Sequence, residues 1–190
     1  MRIAVSGVPG TGKTTLCKTI SKNTVLEIIP EIENGVLREE GYSSWRELFE
    51  KRGSEGMIDI FFLSLKRKIS IEKEKSNFVS DKSGFDCGAR WFSRMWAGAT
   101  SEQHGLVRSA MESFSEVYDK VVYLPLKPDR EVFRDSERTA DFNLRYQRNL
   151  ILSGLFYQYN VKPIEYDFNF SDSSDKVLKD LGLEEFKRNK

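Results

Sequence analysis

Cysteine and histidine are scarce in this sequence of 190 residues, which has two cysteines and one histidine. Cys17 and Cys87 follow no C-x-x-C spacing, and His104 alone adds too little to complete a zinc site. We expect both cysteines to be buried in a protein from a reducing compartment. No apolar run approaches the roughly 18 residues of a membrane span, and Met1 leads into an apolar strand with no signal peptide. These absences predict a soluble, cytoplasmic protein with no membrane partner.

Net charge is also nearly absent, with 30 Lys and Arg residues against 29 Asp and Glu residues. This balance gives no overall field that would attract nucleic acid or an anionic membrane, although a local basic groove is compatible with it. No linker, repeat or low-complexity segment divides the chain. We predict one domain over residues 1–183 and a short, frayed charged tail at 184–190. The oligomeric state is left open, with a dimer as one option.

Five short apolar runs are typical of β-strands and alternate with helical patterns; they are residues 3–5, 25–29, 77–80, 120–124 and 163–166. This alternation predicts an α/β fold of three layers, in which helices flank both faces of a five-stranded parallel sheet. Between the second and third strands, Ser44 and Glu47 have the spacing of a capping box. The mixed charges of residues 66–75 are expected to form the solvated end of the next helix.

The stretch "GVPGTGKTT" at residues 7–15 matches the P-loop pattern G-x-x-x-x-G-K-[ST], directly after the first predicted strand. A glycine-rich turn here points backbone N–H groups toward phosphates, and the following helix presents its positive end to them. Lys13 is expected to reach the β- and γ-phosphates, Thr14 to bind Mg²⁺ and Thr15 to contact the α-phosphate. The complete set predicted to bind the nucleotide is Gly7, Pro9, Gly10, Thr11, Gly12, Lys13, Thr14 and Thr15.

Polar residues follow three further predicted strands. Glu31 comes after the second strand with Arg38 soon after it, "SDKSGFD" ends the third, and "LPLKPDREVFRDSERTAD" spans residues 124–141 after the fourth. Because ligands of open parallel sheets collect beyond the carboxyl ends of the strands, we expect these groups to share one site with the P-loop.

The ordered motifs resemble P-loop kinases of the nicotinamide riboside kinase type, a group with small AAA-labelled ATPase domains that is related to deoxynucleoside and thymidylate kinases. The resemblance covers roughly residues 1–168 and rests on four segments: "RIAVSGVPGTGKTTL", "IIPEIENGVLREEGY", "FVSDKSGFDCGARW" and "DSERTAD". It implies a P-loop NTPase fold, ATP and Mg²⁺ as cofactors, and phosphoryl transfer as the reaction.

The resemblance also implies roles for single residues. Asp81 would hold Mg²⁺ or its water shell, with a helix cap as the alternative, and Asp86 would hydrogen-bond acceptor hydroxyls. Glu31 would accept the proton of the acceptor hydroxyl; the alternative is a carboxylate that only holds Arg38 or caps a helix. The family usually has arginine where this chain has Lys82, and lysine cannot make the same bidentate phosphate contacts.

Arginine-rich segments supply the remaining candidates. Arg138 matches the lid pattern D-x-x-R-x-x-D and is predicted to stabilise the transferring phosphoryl group, with Arg134 and Arg130 one and two helical turns before it. A solvated, salt-bridged helix would have the same pattern. The segment that contains Phe85, Arg90 and Trp91 is both aromatic and basic. It could stack a base and bind an anion of the substrate, or its aromatic side chains could pack in the core instead. The full set of substrate candidates is Arg38, Lys82, Phe85, Asp86, Arg90 and Trp91.

The leading functional interpretation is an ATP- and Mg²⁺-dependent kinase that phosphorylates a hydroxyl of a nucleoside-like small molecule. One alternative acceptor is a hydroxyl carried by DNA or RNA, on a hydroxymethylated base or a strand end, as in virus-encoded kinases. Another is a nucleoside monophosphate. A fourth interpretation is an ATP-binding switch without an acceptor, although acceptor-side carboxylates have no use in a switch.

Overall fold

The computed structural model describes residues 1–127 and 142–188, in which strands and helices alternate. The strands are β1 (Arg2–Ser6), β2 (Glu27–Ile29), β3 (Phe78–Asp81), β4 (Lys120–Tyr123) and β5 (Ile164–Glu165). The helices are α1 (Lys13–Asn23), α2 (Ile32–Glu39), α3 (Trp45–Glu74), α4 (Gly84–Arg94), α5 (Ser101–Val117), α6 (Phe142–Gln158) and α7 (Ser174–Asp180). Short 3₁₀ turns at Trp96–Gly98 and Glu184–Phe186 follow α4 and α7.

The five strands form one parallel sheet in the order β2-β3-β1-β4-β5, which confirms the predicted fold class. Side chains alternate between the faces of a strand, so each face packs against its own helices. Val5 and Val122 lie in a core cluster with side chains of α1 and α7. Val121 and Tyr123 lie in a second cluster with side chains of α3, α4, α5 and α6. The sheet is therefore the middle of three layers.

Local signals at the helix ends decide where several helices begin. Ser44 accepts a hydrogen bond from the N–H of Glu47, but the Glu47 carboxylate turns to Ser43, so only half of the predicted capping box forms. Closed capping boxes instead begin α4 and α5. Gly53 has a φ of 62° inside α3, and this left-handed residue divides the helix into two parts.

The sequence predicts a frayed tail at 184–190, but the described part of this tail, residues 184–188, is bound to the domain. The N–H of Val25 donates to the carbonyl of Phe186 at 3.0 Å, and Arg188 Nε donates to the carbonyl of Thr24 at 2.6 Å. Leu183 is fully buried in the core beside α1. Residues 184–188 are therefore docked against the end of α1 rather than detached from the domain.

Within the described ranges, none of the helices combines the length and apolar character needed to cross a lipid bilayer.

Candidate active site

The P-loop joins β1 to α1 and needs glycine for two different reasons. Gly7 has a φ of 148°, and a Cβ at this position would lie 2.5 Å from the carbonyl oxygen of Leu124. Gly12 has a φ of 97° directly before the first residue of α1, where side chains other than hydrogen are strained. The turn therefore brings the backbone to the carboxyl edge of the sheet in a form that Gly→Ala changes would disrupt.

Lys13 is the first residue of α1 and folds back over the loop that precedes it. Its Nζ donates to the carbonyls of Gly7 at 2.7 Å and Val8 at 3.0 Å. Burial lowers the pKa of Lys13, an effect that the nearby Asp86 carboxylate partly opposes. The ammonium is thus held at the centre of the loop, where it can pair with a bound phosphate.

Asp86 holds the start of the P-loop in place. One carboxylate oxygen accepts from the N–H of Gly7 at 3.0 Å, and the other accepts from Ser6 Oγ at 2.7 Å and from Ser83. Asp86 is also the acidic member of the capping box that begins α4. The buried carboxylate of Asp86 thus faces the P-loop and the helix cap, and its contact with an acceptor hydroxyl stays a prediction.

Oxygen groups suited to Mg²⁺ lie beside the P-loop. Thr14 and Thr15 are exposed in the first turn of α1, and the buried Asp81 ends β3 in register with Val5 of β1. The described residues contain no cluster of three or more His, Cys, Asp or Glu side chains around one point. A hydroxyl and a single carboxylate suit Mg²⁺, which usually keeps water and phosphate oxygens among its ligands.

Close to Lys13 of the P-loop, two carboxylates and two cations form a connected cluster. Glu31, at the N-terminus of α2, accepts from Lys82 Nζ at 3.2 Å. Glu33 pairs with the same ammonium and also with Arg90 Nη1 at 2.6 Å. The guanidinium of Arg90 lies over the Trp45 ring, 4.2 Å from its centroid. The structure therefore brings the candidate site residues Glu31, Lys82 and Arg90 into one cluster with Glu33 and Trp45, and their roles toward a substrate stay predictions.

The charges of this cluster control its protonation. Burial would raise the pKa of Glu33, but Arg90 and Lys82 outweigh it and lower that pKa to about 2. Burial would also raise the pKa of Glu31, but the positive charge of Lys82 lowers it, and the pKa ends below its usual value. The pKa of Lys82 is raised because Glu33 and Glu31 outweigh its desolvation. At neutral pH both carboxylates are ionised and the lysine is charged.

A second buried network contacts the backbone of Lys82. Lys82 has a φ of 88°, which is unusual for a residue with a side chain. Its carbonyl accepts from Lys68 Nζ at 2.7 Å, and the same ammonium pairs with Glu72 at 2.6 Å and donates to Ser80 at 2.9 Å. The second Glu72 oxygen accepts from Tyr118 Oη at 2.7 Å. This network fixes the backbone next to Asp81 and Lys82.

Lys68 and Glu72 correct the prediction that residues 66–75 form a solvated helix end, because the two residues are 3% and 0% exposed. A sequence signal for Glu72 existed. It extends the apolar stripe of Ile58, Phe62, Leu65 and Ile69 by one more step of three residues, so its position on the helix faces the core.

The structure also corrects the aromatic part of the predicted acceptor pocket. Phe85 and Trp91 are both 0% exposed: Phe85 packs on Phe156, and Trp91 Nε1 donates to His104 Nδ1 at 3.2 Å in the core between α3, α4 and α5. Arg38 is exposed on α2, where its Nε donates to a backbone carbonyl of its own helix. None of these three side chains reaches the cluster of Glu31 and Lys82.

The predicted lid arginines Arg130, Arg134 and Arg138 lie outside the described residues.

Comparisons with known proteins agree with this geometry. The family model described as "AAA domain" matches residues 2–169. No match was found among curated proteins. Among solved structures, the chain is similar to a deoxyadenosine kinase from M. mycoides with bound dCTP, at 16% identity and a TM-score of 0.64 over 96% of this chain and 99% of that one.

Two further solved structures are similar over nearly the whole chain. A NadR protein in complex with NR shares 15% identity with a TM-score of 0.65, over 99% of this chain and 53% of that one. Shikimate kinase from Acinetobacter baumannii in complex with shikimate shares 19% identity with a TM-score of 0.57, over 95% and 90%. The chain belongs to the AAA-domain family, and its described residues have the fold of P-loop kinases.

Proposed function

We propose that this protein is an ATP- and Mg²⁺-dependent kinase that transfers the γ-phosphate to a hydroxyl group of a nucleoside-like acceptor. The observation that carries the proposal is the placement of Glu31, an ionised carboxylate at the end of β2, in one charged cluster with Lys82 beside the P-loop. A phosphate-binding loop alone would serve an ATPase or a switch. A carboxylate base next to that loop suits an acceptor that has a proton to lose, such as a hydroxyl, rather than a monophosphate that is already ionised, and the transfer assay below separates such an acceptor from water.

The nucleotide side of the site would use the P-loop. Backbone N–H groups between Gly7 and Lys13 would bind the phosphates, and the Lys13 ammonium would exchange its present carbonyl partners for phosphate oxygens. Thr14 and Asp81 would hold Mg²⁺, which neutralises charge on the phosphates when bound. Asp86 would keep the first turn of the loop in position through Gly7.

On the acceptor side, Glu31 would take the hydroxyl proton while Lys82 holds the carboxylate in place. The lowered pKa of Glu31 keeps the carboxylate ionised at neutral pH but also makes it a weaker base, so its role would depend on close placement of the acceptor hydroxyl. Lys82 stands where related kinases usually have arginine, so its contribution would be a point charge near the transferred phosphate rather than a bidentate clamp. Arg138 would add a second cation from the lid.

The solved relatives support the choice of a hydroxyl acceptor. By their printed names, two of them are kinases for deoxyadenosine and for shikimate, and a third was solved in complex with NR. The acceptors named for the two kinases are small molecules. We therefore propose a small, nucleoside-like acceptor before any other.

The test uses labelled ATP with a panel of nucleosides and three variants. Lys13→Ala should abolish transfer with the fold retained, because it removes the phosphate-binding ammonium. Glu31→Gln should lower kcat by roughly 10²- to 10⁴-fold with ATP affinity nearly unchanged. Glu27→Gln is the matched control, since Glu27 lies exposed on β2, the strand that precedes Glu31, and it should keep wild-type kcat. If Glu31→Gln turns over at the wild-type rate, Glu31 is not the general base.

A further inference from the structure

Three arginines from two helices converge beside the proposed acceptor site; we call Arg90, Arg94 and Arg148 the arginine cluster. Arg90 and Arg94 are one turn apart on the same face of α4. Arg148 of α6 donates from Nε to Ser93 Oγ at 3.1 Å, and that hydroxyl donates in turn to the carbonyl of Arg90 at 3.2 Å. Ser93 therefore ties the third arginine to the turn that contains the other two.

Among the described residues, the arginine cluster has more positive charge than its neighbours neutralise. Arg90 pairs with Glu33, but Glu33 is shared with Lys82. Across residues 1–127 and 142–188, no carboxylate lies within salt-bridge distance of Arg94 or Arg148. Burial and the repulsion of Arg90 and Arg94 lower the pKa of Arg148 to about 10. Like charges placed so closely cost the fold stability, which makes an anionic ligand the natural counterpart.

The position of the cluster connects it to the reaction. Glu33 contacts both Arg90 and Lys82, and Lys82 contacts Glu31, so three consecutive ion pairs connect the cluster to the proposed base. Arg90 is fixed between Glu33 and the Trp45 ring, whereas Arg94 is exposed and open to a ligand. An anion bound here would lie on the acceptor side of the site.

We propose that the arginine cluster binds a phosphate group carried by the acceptor, so that the acceptor is a nucleotide, free or within a nucleic-acid strand, with a separate hydroxyl that is phosphorylated. Several planar guanidinium groups suit phosphate oxygens better than any single cation does. The inference rests on the proposed function for its chemistry. The acceptor hydroxyl oxygen forms the new bond to the γ-phosphorus, the bond to the leaving ADP oxygen breaks, and the proton goes to Glu31.

The first experiment measures binding alone, by calorimetry without ATP. The ligands are the four deoxynucleosides, their 5′-monophosphates and a mixed-sequence single-stranded oligonucleotide. We expect a phosphate-bearing ligand to bind at least tenfold more tightly than its nucleoside, because charge-assisted hydrogen bonds contribute roughly 10- to 100-fold each. The same preference should persist in Lys13→Ala, which separates this subsite from the P-loop.

Variants of single arginines then test which residues cause the tighter binding of phosphate-bearing ligands. Arg148→Gln and Arg94→Gln should each reduce it at least tenfold with nucleoside binding unchanged within threefold, and Arg148→Lys should restore part of it. Arg108→Gln, an exposed arginine of α5, is the matched control and should change nothing. Arg94 is exposed, so its variant keeps the fold even if Arg148→Gln does not. Tightest binding by monophosphates would identify free nucleotides, and tightest binding by the oligonucleotide, with steep salt dependence, would identify a strand.

Three results would overturn the inference: equal binding of nucleosides and nucleotides, binding of neither class, or a phosphate preference that survives both arginine variants. Failure of the proposed function has a different signature. A protein that binds nucleotides through Arg94 and Arg148 but transfers no phosphate would refute only the kinase. Transfer to nucleosides with no phosphate preference would refute only the arginine cluster.

Discussion

Removing the ammonium of Lys68 should destabilise the protein strongly, because it leaves the Glu72 carboxylate charged and buried. Lys68 Nζ has three partners: Glu72 at 2.6 Å, Ser80 Oγ at 2.9 Å and the Lys82 carbonyl at 2.7 Å. Both charged side chains are nearly inaccessible, at 4% and 0% exposure. Lys68→Met fills the space with an apolar chain of similar length but supplies none of these hydrogen bonds.

The expected loss is about 3–5 kcal/mol in the free energy of unfolding, the cost of breaking a buried ion pair from one side. Lys68→Met combined with Glu72→Gln should cost less than Lys68→Met alone. The double variant removes the unpaired charge, and the amide oxygen that replaces the carboxylate can still accept from Tyr118. The non-additivity of the two changes measures the pair directly.

Urea unfolding followed by tryptophan fluorescence and by circular dichroism gives these free energies. Lys66→Met is the matched control, since Lys66 is exposed on the same helix, and it should stay within about 0.5 kcal/mol of wild type. A Lys68→Met protein as stable as Lys66→Met would refute the buried pair. A double variant less stable than Lys68→Met would refute the argument from an unpaired charge.

Three further predictions concern the site. Arg138→Ala should lower kcat more than it raises the KM for ATP, as expected of a contact made mainly in the transition state; unchanged kcat in steady-state assays would leave Arg138 without a catalytic role. Gly7→Ala should weaken ATP binding at least tenfold in calorimetry, because its Cβ would lie 2.5 Å from a carbonyl oxygen, whereas Gly35→Ala meets no atom within 4 Å and should bind normally. The pKa of Glu33 lies near 2 rather than 4.5, so its charge stabilises the fold by about 3 kcal/mol above pH 4.5, and this contribution is lost as the pH falls toward 2. The urea midpoints of wild type and Glu33→Gln should therefore converge as the pH falls from 4.5 toward 2. A difference that stays constant over this range would contradict the lowered pKa of Glu33.

The sequence was sufficient for features that depend on short, regular patterns. The P-loop is specified by residue type at fixed spacing, and the strands by short apolar runs, so both were predicted close to their observed positions. The ends of the strands then brought Glu31 and Lys82 together, because parallel strands present their carboxyl ends at one edge.

Other features depend on tertiary contacts that no local pattern encodes. The apolar stripe of α3 places Glu72 toward the core, but the hydrogen bonds from Ser80 of β3 to Glu72 and from Lys68 to Ser80 come from another element, which the helix sequence does not reveal. Asp86 was selected from a motif, but its hydrogen bond with Ser6 joins it to β1, 80 residues earlier in the chain, which the motif does not reveal. Trp91 could equally have stacked on a ligand or packed in the core, and the closeness of α3 decides for the core.

The central claim is that the γ-phosphate is transferred to an acceptor rather than to water. The most direct measurement follows labelled phosphate from ATP in the presence of the best-binding nucleoside or nucleotide and partitions it between acceptor and inorganic phosphate. We predict that most label appears on an acceptor hydroxyl and that Glu31→Gln lowers the rate of that transfer without raising hydrolysis. Label found only in inorganic phosphate, at a rate that no acceptor changes, would contradict the claim and identify an ATP-hydrolysing switch.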